Sequence, residues 1–185
     1  MRKKSHIGLA RFLTNDRHQK LLTYHRYFFY AGSILPDCRP SFLTTKHNIE
    51  NTLPLIQDYM ERVRLHRVRT AATYLNRRDC ITVGEILHYI ADYFTYPHNS
   101  IYPGNLKDHC HYEQYLKLRL REYFQSGKAL DVKFTPLEDR MSTREIIRFI
   151  QQKHKEYLTL PNHSIESDCE YIIAVNKSVL SALAA

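Results

Sequence analysis

A histidine and an aspartate lie four residues apart in the most apolar helical segment of the chain. His88 and Asp92 stand among apolar residues at helical spacing, in a segment that starts at Gly84 and stops at Pro97. Because a helix turns by about 100° per residue, residues four apart share one face. Burying an imidazole and a carboxylate is costly unless a partner replaces the lost water, and a divalent cation is one such partner.

The same spacing returns in His109 and Glu113, and His98 lies just past the end of the first helix. With 11 histidines and 19 acidic residues in the chain, about one such pair is expected by chance, so a single pair carries little weight. The alternative is that Asp92 and Glu113 only orient imidazoles in the core. The apolar setting of the first pair favours a metal site, and nitrogen and oxygen ligands from neighbouring helices suit zinc.

Three further candidates lie upstream. Asp37 follows a predicted helix in a loop, His47 opens another helix, and His6 lies in the first helix. On local sequence alone each has an ordinary alternative, respectively a turn residue, a surface histidine and a half-exposed histidine. His111 is excluded because it is offset by about 200° from His109 around the helix.

The elements that must position these residues are all helical. No segment alternates with period two, so the sequence predicts an all-α fold, a multi-helix bundle in a single domain over residues 1–185. A length of 185 residues with 43% hydrophobic content is enough for one sizeable core. Helices are predicted at residues 6–14, 17–33, 45–65 with a kink at Pro54, 67–77, 84–96, 106–125, 143–158 and 164–184, with a turn at 79–82 and an irregular segment at 128–141.

The chain is strongly basic, with a formal charge of +8 and a pI near 9.3. This charge predicts attraction to anions such as phosphodiesters, nucleic acid or an anionic membrane surface. No stretch approaches the roughly 20 apolar residues that span a bilayer. Arg11 interrupts the apolar run after the basic start, so we expect no signal peptide and a cytoplasmic protein, with secretion not excluded.

The order of Asp37, His47, His88-x3-Asp92-x5-His98 and His109-x3-Glu113, with His6 near the start, resembles the bacterial zinc-dependent phospholipases C. The single-strand-specific zinc nucleases of the S1 and P1 type share that fold and a similar ligand order. The likeness covers roughly residues 6–113 and is most specific over 84–113, where the spacing and Pro97 both match.

The resemblance implies two zinc ions and leaves a third open. Its ligand sets are Asp37, His47, His88 and Asp92 for one ion, His98, His109 and Glu113 for a second, and Asp92 with His6 for the third. In that family the third ion also takes the amino group and carbonyl of an N-terminal Trp. This chain has no Trp, and Met1 stands five positions before His6, so that site is vacant, weaker, or completed by water or substrate.

The function implied is zinc-dependent hydrolysis of a phosphodiester, with phospholipid cleaved to diacylglycerol and a phosphorylated head group. Asp37 would be catalytic, holding or deprotonating the attacking water. One alternative is a nuclease, favoured by the charge and by 14 tyrosines available for base stacking. Another is a non-enzymatic zinc-containing helical binding protein. A di-iron bundle is excluded because Glu85-x-x-His88 is the only such motif in the sequence.

Overall fold

Helices make up nearly all of the secondary structure of the protein. The computed structural model describes residues 1–15, 25–40, 46–70 and 75–184, and within these ranges it contains no strand. The predicted all-α fold is therefore confirmed. The helices are α1 (Lys3–Thr14), α2 (Arg26–Gly32), α3 (Ile49–Thr70), α4 (Arg77–Tyr93), α5 (Leu106–Ser126), α6 (Lys128–Asp131), α7 (Thr143–Leu158) and α8 (Ile165–Leu183), with 3₁₀ turns at Pro36–Cys38 and Tyr96–His98.

Helix α4 forms the centre of the fold. Every residue from Val83 to Tyr93 is buried, as expected for a helix that is covered by other helices on all sides. It packs against α1, α2, α3 and α8. The helix begins earlier than predicted, because the Asn76 side chain caps it by accepting a hydrogen bond from the backbone N–H of Asp79. The predicted turn at 79–82 is therefore wrong.

Helix α3 is continuous, whereas two helices were predicted at 45–65 and 67–77. It runs through Pro54 to Thr70, and neither Gly nor a further Pro interrupts its arginine-rich second half. Arginine is a good helix former, so nothing in that half favours a break. Residues 71–74 lie outside the described chain, and residues 75 and 76 are not helical.

Most other helix ends agree with the sequence signals. Helix α5 starts at a capping box and stops at Gly127, whose φ of 83° is the left-handed conformation that commonly ends a helix. Helix α7 starts at the predicted box formed by Ser142 and Glu145. Two segments differ: α1 begins at Lys3 rather than at residue 6, and α6 lies within the segment predicted to be irregular. Residues 16–24 of the predicted helix 17–33 lie outside the described chain.

Two glycines bring α2 and α4 into backbone contact. A Cβ atom on Gly32 would collide with the carbonyl oxygen of Ile81, and one on Gly84 would collide with that of Phe29. The absence of both side chains lets the two helices approach closely. The turn Pro36–Cys38 comes soon after α2, so this contact places that turn beside α4.

Candidate metal centre

The structure brings all eight predicted metal ligands together around α4. They form three groups, and within each group the donor atoms lie within 4.8 Å of one another. The first group is Asp37, His47 and His88; the second is His98, His109 and Glu113; and the third is His6, His88 and Asp92, which shares His88 with the first. Residues more than a hundred positions apart in the sequence thus meet in one centre.

Asp92 connects the groups through its two carboxylate oxygens. Its Oδ2 lies 3.1 Å from Nδ1 of His47 and 3.2 Å from Nε2 of His88. Its Oδ1 lies 3.4 Å from Nε2 of His6 and 2.6 Å from the Met1 amino group. The residue is completely buried, and one carboxylate therefore faces two different sets of donors.

In the first group, nitrogen and oxygen donors converge on one point. Nε2 of His88 lies 3.2 Å from Nδ1 of His47, and Oδ1 of Asp37 lies 3.6 Å and 3.8 Å from these two nitrogens. The other ring nitrogen of His88, Nδ1, lies 2.9 Å from the Ser33 carbonyl oxygen. A carbonyl can only accept, so Nδ1 carries the proton and the lone pair of Nε2 faces the group. A hydrogen bond from the other ring nitrogen to a backbone carbonyl typically orients a metal-binding histidine.

The environment of His6 indicates whether the centre fits a cation. Its side chain is 1% exposed, it stacks on His88 with ring centroids 3.8 Å apart, and neither of its ring nitrogens has a hydrogen-bond partner. Burial lowers the pKa of His6 to about 3, so the ring is neutral and keeps a free lone pair. Leaving buried polar atoms unpaired is costly, and a bound metal ion would remove that cost.

The second group joins the turn Tyr96–His98 to α5. Oε1 of Glu113 lies 3.1 Å from Nε2 of both His98 and His109. Burial acts to raise the pKa of Glu113, but its bonds to the two histidines hold that pKa well below its usual value. His111 is exposed and belongs to none of the three groups.

The Met1 amino group lies inside the centre, a feature that the sequence analysis did not predict. It is buried 2.6 Å from Asp92 Oδ1, 3.0 Å from Glu113 Oε1 and 2.9 Å from His98 Nε2. Burial lowers its pKa, but the two carboxylates more than compensate and raise the pKa to about 10. The centre thus holds a cationic group beside His6, where the resemblance implies an N-terminal amino ligand.

An ion pair that the sequence analysis also missed supports the turn carrying Asp37. Arg39 donates to both carboxylate oxygens of Glu85 at 2.8 Å. Such bidentate pairs fix geometry as well as charge. Glu85 lies three residues before His88 on α4, so the pair fastens the Asp37 turn to the helix that carries His88. The pair engages Glu85, which belongs to none of the three donor groups.

Asp168 on α8 supports the second group. It is completely buried and accepts hydrogen bonds from the Tyr96 backbone N–H at 2.9 Å, the Tyr112 hydroxyl at 3.0 Å and the Tyr157 hydroxyl at 2.7 Å. Burial raises the pKa of Asp168 to about 7, although these donors act in the opposite direction. Tyr96 begins the turn that carries His98, and Tyr112 precedes Glu113. Asp168 could have been found in the sequence in the same way as Asp92, because it is a carboxylate within an apolar helical segment.

Members of the first and second groups open onto a cavity of about 890 Å³, within the size range of small-molecule sites. Six of its lining residues belong to the centre, namely Met1, Asp37, His47, His98, His109 and Glu113. His6 and Asp92 are too deeply buried to line it. The centre therefore combines buried donors, such as His6 and Asp92, with nitrogen and oxygen donors that are accessible from the cavity.

A family model described as zinc dependent phospholipase C matches residues 5–164. The chain belongs to this family. The match contains all eight predicted ligands and extends well past residue 113, where the resemblance seen in the sequence ended. Zinc-dependent phospholipases C are hydrolases, so family membership supports an enzyme that uses zinc. No curated protein and no solved structure matches the chain.

The described part of this phospholipase C family member has no helix that is both long enough and apolar enough to cross a bilayer.

Proposed function

We propose that the protein is a zinc-dependent phosphodiesterase that cleaves phospholipid into diacylglycerol and a phosphorylated head group. The observation that carries this proposal is that two of the three donor groups open onto one cavity while the third lies buried beneath them, in a chain that belongs to the phospholipase C family. A purely structural zinc site is closed by its protein ligands, whereas a catalytic site keeps a position open.

The donor geometry supports two zinc positions. Asp37, His47, His88 and Asp92 would hold one ion, and His98, His109 and Glu113 would hold another. His6 and the other oxygen of Asp92 offer donors for a third, and the Met1 amine would join them if the bound ion displaced its proton. Bound zinc supplies charge neutralisation for the phosphoryl oxygens and lowers the pKa of a bound water toward about 7.

Asp37 is the proposed catalytic residue. It lines the cavity, and burial raises the pKa of its carboxyl group above the usual value, which makes it a better proton acceptor near neutral pH. Its carboxylate would hold the attacking water and accept its proton. The pair between Arg39 and Glu85 would keep the Asp37 turn in place during this step.

Single-strand nucleic acid hydrolysis is the second candidate. The net charge of +8 suits a polyanion, and Tyr102 lines the cavity, with its ring centroid 6.5 Å from that of His109. An aromatic ring beside a phosphodiester site can stack with a base.

Zinc content and product release test the proposal together. We expect the purified protein to contain zinc and to release phosphocholine from short-chain phosphatidylcholine faster than it digests a single-stranded oligonucleotide. His88→Ala and His109→Ala should lose zinc and lower turnover about hundredfold or more. His111→Ala is the matched control, because this exposed histidine lies on α5 outside the centre.

Three outcomes decide between the functions. Faster digestion of the oligonucleotide would establish the nuclease instead. Zinc retained with neither substrate hydrolysed would indicate a non-enzymatic zinc protein. Equal zinc content in His88→Ala, His109→Ala and the unmodified protein would show that the centre is not the zinc site.

A further inference from the structure

The mouth of the cavity combines exposed apolar side chains with basic ones. Leu106, the first residue of α5, lines the cavity and is 77% exposed, and Ile101 in the preceding loop is 42% exposed. Leu106 lies three residues before His109 and so shares its face of the helix. Together with four exposed cations these residues form what we call the mouth surface: Ile101, Leu106, Arg2, Lys3, Lys46 and Lys107.

The charge of the mouth surface is strongly positive. Arg2, Lys3 and Lys46 line the cavity, and Lys107 follows Leu106. The acidic residue in the same segment, Asp108, is engaged in the capping box of α5, where it accepts from the backbone N–H of Asn105. A large apolar side chain that is mostly exposed and surrounded by cations is unfavourable in water. It is favourable at the boundary between lipid phosphates and acyl chains.

We propose that the mouth surface docks on an anionic phospholipid bilayer. Leu106 and Ile101 would enter the acyl boundary, while the four cations contact lipid phosphates. This inference rests on the proposed function and adds to it: a lipid lying in such a membrane would present its phosphodiester to the metal centre while its acyl chains stay outside the cavity. The protein would therefore act faster on lipid in a membrane surface than on lipid dispersed in water.

Vesicle binding by matched variants tests the docking. The probe is sedimentation with vesicles of equimolar phosphatidylcholine and phosphatidylglycerol, compared with vesicles of phosphatidylcholine alone. The double variant Ile101→Gln, Leu106→Gln should weaken binding to the anionic vesicles by about tenfold or more, since each buried methylene contributes to such binding. The control is Val68→Gln. Val68 is 80% exposed near the arginine-rich end of α3, roughly 28 Å along that helix from its start.

A second pair of variants separates charge from apolar contact. Lys3→Gln and Lys107→Gln should each weaken binding to anionic vesicles by about fivefold. Lys133→Gln should have little effect, because Lys133 lines a different cavity. Salt should weaken the binding of the unmodified protein, as expected for screened charges.

The outcomes that overturn the proposal are distinct from those that overturn the function. Unchanged vesicle binding by the mouth variants, or an equal loss in Val68→Gln, would show that docking does not use this surface. A loss of oligonucleotide binding with unchanged vesicle binding would assign the surface to nucleic acid. Zinc content, measured for every variant, reports the integrity of the centre. Failure of the unmodified protein to hydrolyse phospholipid either dispersed in water or in vesicles, with vesicle binding intact, would reject the function alone.

Discussion

His6 is buried without a hydrogen bond to either ring nitrogen, and this environment controls its protonation. In the folded protein its pKa is lowered to about 3 by burial, with the neighbouring His88 acting in the same direction. In the unfolded chain an ordinary histidine has a pKa of about 6.5. At pH values between these two pKa values, His6 binds a proton in the unfolded state but not in the folded state. The free energy of unfolding therefore falls as the pH falls.

The resulting prediction concerns the metal-free protein. Between pH 7 and pH 5 the unmodified protein should lose about 2 kcal/mol more unfolding free energy than His6→Gln, whose side chain does not titrate. Urea unfolding in the presence of a chelator, at both pH values, measures this difference. Equal losses in the two proteins would mean that His6 is not buried as a neutral ring.

Residue types and spacing were enough to identify some donors but not others. The pairs His88 with Asp92 and His109 with Glu113 follow from helix geometry, because four positions along a helix restore the same face. Local sequence favoured a turn residue for Asp37, and a surface histidine was about as good an interpretation of His47, so both were singled out only by their order in the resemblance. The Met1 amine was missed because a chain terminus shows no spacing pattern; its position depends on how the first residues before α1 fold back.

At the scale of the elements, the contact between α2 and α4 determines the first donor group. The two backbones touch at Gly32 and Gly84, which lets the Ser33 carbonyl accept from His88. Added volume at this contact cannot be absorbed by a flexible side chain, because the atoms in the way belong to the backbone.

Gly84→Ala should therefore lower the free energy of unfolding by roughly 1–3 kcal/mol and reduce the zinc content of the first group. The matched control is Gly8→Ala in α1. There an added Cβ meets only the edge of the Phe124 ring, at 3.3 Å, and alanine favours the helix by up to about 1 kcal/mol. Denaturant unfolding and metal analysis of both variants provide the measurement, and similar behaviour of the two would contradict this account.

The elements were predictable where a periodic pattern and a terminal signal coincided. Helix α7 shows this agreement, with its capping box at Ser142 and Glu145. The start of α4 was misplaced because the cap at Asn76 was not recognised, and Gly84 was taken as a boundary although it is a packing position within the helix. That role depends on Phe29 in another helix, which no local pattern reveals.

At the scale of the whole molecule, the centre joins α1, α4, α5, both 3₁₀ turns and the segment before α3. Ions bound there would bind the folded state and not the unfolded chain, so they would stabilise the fold by mass action. Among the helices that carry no donor, α7 and α8 contribute through packing and through Asp168.

Removing zinc should therefore lower the Tm of the protein as a whole. Free zinc at about a hundred times its Kd contributes about 2.7 kcal/mol for each site. Calorimetry with zinc and with chelator measures the shift, and the His88→Ala and His109→Ala double variant should show a much smaller one. A Tm independent of zinc in the unmodified protein would contradict the prediction.

Asp92 offers its two oxygens to different donor groups, and this has a consequence for how the centre fills. A zinc ion bound at one position would fix the orientation of the Asp92 carboxylate and neutralise some of its negative charge. Both changes would alter the affinity of the neighbouring position for zinc. By thermodynamic reciprocity the influence is equal in the two directions. Zinc binding should therefore be cooperative, either positively or negatively, and its binding isotherm should differ from that of independent sites.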